Sequence, residues 1–475
     1  MTHRASLLGR GYAGHRLDSP RLRFRRALAL CAMTVVAPGS AQVAVGRRWV
    51  GWVALTAWAA LLLGGGYYVW HAGTDRVSAL NNAFDADALL RLRIGLAVVV
   101  IAWLALFIDA WRLARPFSLT FWRGALVMVV NTALVAAVGG SAVFASELLQ
   151  VQRDVVKTVF KATKTSAPLE GRYNILLIGA DSGKDRTGIR PDSLTVASID
   201  AGTGRTVLVS IPRNLQNVPF PESSPMHQVY PYGYNCGSEC LINAVHTAAQ
   251  NRTDLYPNSA DPGLDATIDA VEGVTDLKIN YYVMVNLKGF RKLVDAVGGV
   301  EMDVKTRIAK FGHDDAWKQQ YIEPGKQVLD GDNALWYARS RVQSDDYTRM
   351  GRQKCLMAAM LDQLSPQKVV LNAKDIAASG KELLSTNLPA KELGQFADLA
   401  LKSRGEKVRT VSLVPPVVNT ITPDFAAIHR MIDEAIQKSE RNVPPDPKST
   451  DDPETSKPND TQSSANTTDD LAASC

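Results

Sequence analysis

YNILLIGADSGKDRTGIRPDSLTVASID, residues 173–200, holds two β-type runs, YNILLIGA (173–180) and SLTVASID (193–200), around a loop rich in Gly, Asp and Arg. Branched apolar residues bounded by turn-forming residues predict strands. The first run ends at Gly179-Ala180, which puts Asp181 at its C-terminal edge. The loop returns through Arg190-Pro191-Asp192 just before the second run. Such a strand–loop–strand can bring Asp181 and Asp192 together with Arg190 beside them.

Further strands are expected at RTVLVSIP (205–212), YYVMVNL (281–287), VEMDV (300–304) and VRTVSLV (408–414). Helical periodicity marks GLDATIDAVEGV (263–274), KGFRKLVDAVGG (288–299), NALWYARSR (333–341), TRMGRQKCLMAAMLDQL (348–364) and KELGQFADLALKSR (391–404). Strands interleaved with helices predict an α/β domain over residues 173–442, a mixed central sheet flanked by helices. Gly298-Gly299 is placed to end one helix and turn the chain into a strand.

What precedes this domain is of another kind. Residues 1–26 carry seven arginines against Asp18, enough to account for the chain's whole net charge of +6. A basic head directly before apolar segments is the usual cytoplasmic flank of a membrane protein, and this placement argues against nucleic acid as the partner. The membrane region, 27–146, has three segments that approach the roughly 20 apolar residues needed to cross a bilayer, near 50–70, 93–114 and 124–146. Three in a row are poorly explained as buried core helices, and a cleaved signal peptide does not fit spans that follow one another. A fourth stretch, 27–46, is interrupted by Pro38, Gly39, Ser40 and Gln42. It reads as a re-entrant or interfacial helix, because irregular backbone at membrane depth needs protein cover. The 115–123 loop has Arg115 and Arg123 and no acid, whereas the 71–92 loop mixes both signs. The head and the 115–123 loop are therefore expected in the cytoplasm. Three crossings then put the α/β domain outside a multi-pass cell-membrane protein, with residues 147–172 as helical stalk and linker. Residues 443–475, rich in Pro, Asp, Ser, Thr and Asn, read as a disordered tail.

Cysteine usage fits that compartment. Cys236 and Cys240 in NCGSEC are expected to pair as a disulfide outside the membrane. Zinc with His227 and His246 is the alternative, disfavoured by loose cysteine spacing and distant histidines. Cys31 and Cys355 read as inert core residues.

The chemistry gathers in three motifs. In IGADSGKDRTGIRPDS (178–193), Asp181 and Asp192 are carboxylates of the sort that hold Mg²⁺ (or Mn²⁺) beside a phosphate; the plainer reading is that they cap turns. In SIPRNL (210–215), Arg213 follows a strand, where ligands of α/β sheets bind. In YARSRVQSDDYTRMGRQ (337–353), Arg339 and Arg341 close a helix and Asp346 starts the next. Arg349 and Gln353 follow Asp346 at i+3 and i+7, on one helical face, with Arg352 beside them. Any single Arg–Asp pair is better read as a solvated surface pair. Six arginines in three motifs at element ends suit a pyrophosphate, since Arg keeps its charge and binds phosphate bidentately.

Taken together, LLIGAD…GIRPDSLTV, TVLVSIPRN, LINAV, YYVMVNLKGFRKLVDAVGGVEMDV and LDGDNALWYARSR…DYTRMGRQ resemble the LytR-CpsA-Psr family of cell-envelope enzymes, over about residues 173–415. The resemblance implies an α/β domain that holds a polyprenyl pyrophosphate with its lipid tail in an apolar tunnel. It implies transfer of a glycan phosphate from a polyprenyl-pyrophosphate-linked glycan to peptidoglycan. By motif, Asp181 and Asp192 would be the metal ligands, and Arg190, Arg213, Arg339, Arg341, Arg349, Gln353 and, as a neighbour, Arg352 the pyrophosphate binders. The catalytic assignment falls on Arg190, Arg341 and Asp346, the last as proton acceptor or as an orienter of the arginines. Two departures stand out: Asn214 where the family has an aspartate in PRD, and Leu241 where it often has lysine before INAV. The competing readings are a polyprenyl-pyrophosphate pyrophosphatase with water as acceptor, and a non-catalytic protein that binds lipid-linked intermediates.

Overall fold

The computed structural model describes residues 20–160, 164–181, 190–310, 320–342, 344–363, 384–444, 466, 469–471 and 475. They fall into two units, residues 1–82 with 86–150 and residues 83–85 with 151–475.

The first unit is built of helices: α1 (Pro20–Val36), α2 (Ser40–Val45), α3 (Arg48–Thr74), α4 (Arg76–Phe84), α5 (Ala86–Ala114) and α6 (Phe121–Val159). Three of these, α3, α5 and α6, are long and apolar enough to cross a membrane. The α6 helix absorbs both the third apolar segment and the stalk, because nothing between residues 124 and 159 breaks the helical pattern. The interrupted stretch is two helices joined by a turn at Gly39, whose φ of 101° suits only glycine. Two of its polar groups meet helix α5. Trp103 Nε1 donates to the Thr34 carbonyl (2.8 Å) and Gln42 Nε2 to the Leu106 carbonyl (3.1 Å).

The second unit is a three-layer α/β domain. Its strands are β1 (Arg172–Asp181), β2 (Arg190–Asp200), β3 (Thr206–Ile211), β4 (Tyr281–Asn286), β5 (Val300–Val304), β6 (Ile308–Ala309), β7 (Tyr321–Ile322), β8 (Gly325–Leu329), β9 (Leu384–Thr386) and β10 (Arg409–Ser412). Its helices are α7 (Pro225–Val229), α8 (Val245–Ala249), α9 (Pro262–Thr275), α10 (Leu287–Ala296), α11 (Gly331–Arg339), α12 (Asp346–Gln363), α13 (Leu393–Ser403) and α14 (Phe425–Glu440). Six strands form one sheet in the order β10-β3-β2-β1-β4-β9. The β1–β2, β2–β3 and β4–β9 pairs are antiparallel, and β1–β4 and β10–β3 parallel, so the sheet is mixed.

The period-two alternation of strands sets the layers. Leu176, Ile178, Leu194, Val196, Val207 and Val209 face a core closed by α8, α9 and α14. Leu177 and Gly179 of β1, Ser193 and Thr195 of β2, and Val283 and Val285 of β4 line a cavity on the opposite face. A second core, with Val294, Met302, Leu329, Tyr337 and Leu356, joins α10, α11 and α12 to the β5–β8 ribbon. Gly298 and Gly299 both have positive φ (85° and 86°), the turn expected between α10 and β5.

Of the tail read as disordered, residues 445–465, 467–468 and 472–474 lie outside the described residues; the few described ones are attached to the domain. Asp470 forms an antiparallel bridge with Arg409 of the edge strand β10. Thr410 N donates to the Asp469 carbonyl (2.8 Å) and Leu471 N to the Val408 carbonyl (3.0 Å). Leu471 is buried among Ala197, Leu208 and Met357. Cys475 is disulfide-bonded to Cys355, with Cα atoms 5.5 Å apart, so Cys355 is no inert core thiol. Leu471, Cys475, the ion pairs of Asp469 with Arg409 and of Asp470 with Lys407, and a sheet edge that needs backbone partners hold these residues down. Cys31 is free and buried.

Candidate active site

β1 and β2 bring the first motif together through a β-bulge. Asp181 pairs with Arg190, Ala180 with Pro191 and Gly179 with Ser193, which leaves Asp192 as the extra residue. Bulges re-aim side chains, often next to active sites. Here the carboxylate of Asp192 enters the cavity wall. Asp181 ends β1 on the adjacent strand, diagonally across the ladder. Aspartates at neighbouring strand ends are the residue type that a hard divalent cation takes as ligands.

Arg213 lies just past β3, where Pro212 stops the ladder and Leu215 N turns back to the Pro212 carbonyl (3.1 Å). Its Nε donates to Asp346 Oδ2 (2.7 Å) and its Nη1 to Asp192 Oδ1 (2.9 Å). Asp346 opens α12 and also meets Arg349 (3.5 Å) and Arg341 (3.6 Å). Arg341 in turn lies 3.6 Å from Asp192. Two aspartates thus hold Arg213, Arg341 and Arg349 in a single network.

Asp346 and Arg349 meet as the i, i+3 spacing predicts, and Gln353, a turn further on, lines the same cavity. Gln353 Nε2 donates to the Ala338 carbonyl (3.1 Å), which ties α12 to α11. Arg339 ends α11 with its guanidinium 5.1 Å from the Trp336 ring centroid, and Arg190 stands exposed on the wall.

Arg352 has a different place. It is buried on the far side of α12, where Nη2 donates to the Ser340 carbonyl and to Ser344 Oγ (3.1 Å). It fastens the connection that carries Arg341, and it does not line the cavity.

Electrostatics follow from this packing. Burial weighs against the charged form of Asp346, but the hydrogen bond from Arg213 and the charges of Arg349, Arg213 and Arg341 outweigh it. Its carboxyl is held below the usual carboxylate range. Burial pulls the Arg349 guanidinium down to about 10, still cationic at neutral pH. Arg349 is 2% exposed and its Nε is buried with no partner among the described residues. A buried donor without a partner is costly, and here it belongs to a residue on the cavity wall.

The cavity measures about 1110 Å³. Arg190, Asp192, Arg213, Arg339, Arg341 and Arg349 give its wall a charged region. The rest is apolar, with Leu177, Val283, Phe290, Leu293, Leu335, Leu356, Met360 and Leu361 among its lining. Asn214 lines it too, and its Nδ2 donates to Tyr347 OH (3.4 Å), which bonds Thr420 Oγ1 (2.9 Å). Leu241 adds an apolar side chain where a cation was the family's expectation.

Sequence reasoning missed Glu239, Asn243 and Asn286, which also line the cavity. Asn286 had a readable signal: at the end of β4 its Oδ1 caps α10 by accepting from Gly289 N (2.8 Å). Glu239 lies in the loop closed by the Cys236–Cys240 disulfide, whose Cα atoms are 5.2 Å apart. Of the two histidines, His227 Nδ1 meets the Phe220 carbonyl (3.1 Å), and His246 is buried with Nε2 3.6 Å from Asp261 Oδ1.

Comparison with known proteins agrees with the motifs. Residues 146–437 match the model of the LytR_cpsA_psr family. The chain is 28% identical over 245 residues to the Bacillus subtilis polyisoprenyl-teichoic acid–peptidoglycan teichoic acid transferase TagV, covering 51% of this chain and 56% of that one. It is 25% identical to the Corynebacterium glutamicum cell wall biosynthesis protein LcpA, covering 57% of each. The chain thus spans little more than half the length of these relatives. The crystal structure of B. subtilis TagV aligns with 57% of this chain and 98% of its own at 24% identity and a TM-score of 0.41. With a family match over more than half of its residues, the chain belongs to the LytR-CpsA-Psr family.

Proposed function

We propose that this protein transfers a glycan phosphate from a polyprenyl-pyrophosphate carrier to peptidoglycan on the outer face of the cell membrane. The observation that carries the reading is the union, in one cavity, of an arginine cluster and a long apolar wall. A polyprenyl pyrophosphate has the same two parts, an anionic head and an isoprenoid chain. The names of the TagV and LcpA relatives point to the same chemistry in cell-wall assembly.

In this reading the lipid lies against Leu177, Val283, Phe290, Leu293 and Met360. Arg190, Arg213, Arg339, Arg341 and Arg349 receive the pyrophosphate, with Gln353 as a neutral donor. Asp192 and Asp346 preorganise Arg213, Arg341 and Arg349, so the positive charge is in place before the reaction. A peptidoglycan hydroxyl attacks the phosphorus that bears the glycan, and polyprenyl phosphate departs. Charge on the transferring and leaving phosphates is stabilised by the arginines, from which such reactions gain most of their rate. Asp181 and Asp192 would hold Mg²⁺ (or Mn²⁺), which supplies further neutralisation of phosphate charge when bound. Arg352 acts at one remove, by holding the Ser340–Ser344 connection.

The three long apolar helices would anchor the chain, with the basic head inside and the catalytic domain outside. The Cys236–Cys240 and Cys355–Cys475 pairs support an oxidising compartment for that domain.

The full chain in detergent, given a polyprenyl-pyrophosphoryl saccharide, Mg²⁺ and peptidoglycan fragments, should yield polyprenyl monophosphate and sugar-phosphate-modified fragments by mass spectrometry. Both should be lost in Arg341→Ala. Monophosphate without modified fragments would favour the pyrophosphatase, and intact bound lipid a non-catalytic binder.

A further inference from the structure

Transfer requires a group that takes the proton of the attacking hydroxyl. Asp346 is badly suited to it, because Arg213, Arg341 and Arg349 all lie within 3.6 Å of its carboxylate and stabilise its charged form. Asp192 has Oδ1 bonded by Arg213 at 2.9 Å and faces Arg341 at 3.6 Å. Two acidic side chains line the cavity among the described residues, Asp192 and Glu239. Glu239 is exposed, and among the described residues no ion pair or hydrogen bond engages its carboxylate.

The loop that carries Glu239 is nevertheless fixed. The Cys236–Cys240 disulfide closes it, Cys240 is fully buried, and Cys240 N donates to the Gly237 carbonyl (3.0 Å). The next residues are stitched to the segment that bears Arg213. Leu241 bridges Gln216, Ile242 N donates to the Leu215 carbonyl (2.9 Å), and Asn243 N to the Arg213 carbonyl (3.3 Å). A carboxylate outside the arginine network is thereby held at the cavity that receives the phosphate. The other charged groups on that wall are Arg190 and Asp192 from β2, Arg213 beyond β3, Arg339 and Arg341 at the end of α11, and Arg349 from α12.

We infer that Glu239 is the general base of the transfer, an assignment that rests on the transferase reading above. In the step, the acceptor hydroxyl oxygen bonds to the glycan-bearing phosphorus. The bond from that phosphorus to the bridging oxygen breaks, and polyprenyl phosphate leaves with the electron pair. The hydroxyl proton passes to the Glu239 carboxylate and from there to solvent. The disulfide loop then fixes the base at the cavity that the donor-binding arginines also line.

The test compares the full-length wild type with Glu239→Gln, which keeps the shape of an exposed side chain and so leaves the fold in place. Two acceptors are used, a peptidoglycan fragment and trifluoroethanol, whose hydroxyl gives up its proton far more readily. Glu239→Gln should lower kcat for the fragment about 100-fold or more, the range of general-base catalysis, with binding of the polyprenyl-pyrophosphoryl donor unchanged. For trifluoroethanol the loss should shrink to less than about tenfold, because a base matters less to an acidic alcohol. Wild-type turnover with Glu239→Gln within about threefold of it on the fragment would overturn the assignment and leave the transferase reading standing. Equal losses on both acceptors would also overturn it, since that is the mark of a structural role. A wild type that transfers to neither acceptor would sink the transferase reading and the Glu239 assignment together.

Discussion

Replacing Asp346 by Asn tests whether the carboxylates organise the arginine cluster. Asp346 touches Arg213 at 2.7 Å, Arg349 at 3.5 Å and Arg341 at 3.6 Å. Asn keeps the shape and one acceptor oxygen but removes the charge that offsets three guanidiniums. Removing one partner of a fully buried ion pair costs about 3–5 kcal/mol. Arg349 is as buried as that case requires, with 3% of its side chain exposed, but the Asp346 side chain is 20% exposed. Solvent screening therefore lowers the expected loss to about 2–3 kcal/mol. For a domain of this size each kcal/mol moves Tm by about 2–4 °C, so Asp346→Asn should melt about 4–12 °C lower at neutral pH. The sign of the pH dependence follows from the depressed carboxyl. Its stabilisation is fully present above the unfolded-state value, about pH 4, and is lost as pH falls through the folded-state value below that. The gap between wild type and variant should therefore close in acid. Calorimetry between pH 7 and pH 3 reads both effects. An unchanged or raised Tm at pH 7, or a gap that persists undiminished at low pH, would refute the reasoning.

Lys354 is buried on α12, and burial pulls its ammonium down to about 7 against the opposing charges of Asp469 and Asp470. The unfolded chain holds that proton up to about pH 10, so stability should rise with pH between about 7 and 10; Lys354→Met should abolish that rise in a pH series of denaturant melts. Cys475→Ser removes a link that closes a separation of 120 residues, and should destabilise the domain by about 2–5 kcal/mol in urea titrations. Leu293→Trp fills the apolar part of the cavity. Calorimetric titration should show weakened binding of a long-chain polyprenyl pyrophosphate with little change for inorganic pyrophosphate. Arg213→Lys should lower transfer at least tenfold in the mass-spectrometric assay, since an ammonium cannot reproduce the two-carboxylate fork that Arg213 makes.

Much of the sheet was legible because its strands carry their own evidence. The YNILLIGA and SLTVASID runs pair as expected, and the Leu177/Gly179 and Leu176/Ile178 alternation assigns each side chain to a face. The helix over 346–363 was legible from its spacing, as was the contact between Asp346 and Arg349. The bulge at Asp192 was not, because one extra residue leaves no mark in an apolar pattern. Arg352 illustrates a different limit. Composition cannot tell an arginine on a cavity wall from one turned to a backbone carbonyl behind the helix, and only the packing of the Ser340–Ser344 connection separates them. Glu239 escaped notice because a lone acid in a loop resembles any solvated residue until the fold places it on the cavity wall that Arg213 also lines. The short strands β6, β7 and β9 depend on tertiary pairing, and their few residues carry no periodicity to read. In the tail, polar composition outweighed Leu471 and Cys475, which, with Asn466, Asp469 and Asp470, attach its described residues to the domain.

The most direct test of the central claim follows the phosphorus. A polyprenyl-pyrophosphoryl saccharide carrying ³²P only at the glycan-linked phosphate would be turned over by the full chain with peptidoglycan fragments as acceptor. The account predicts that the label moves with the saccharide onto peptidoglycan and that the released polyprenyl monophosphate is unlabelled. Label found in the released lipid, with the saccharide attached to peptidoglycan without phosphate, would mean glycosyl transfer and would contradict the account.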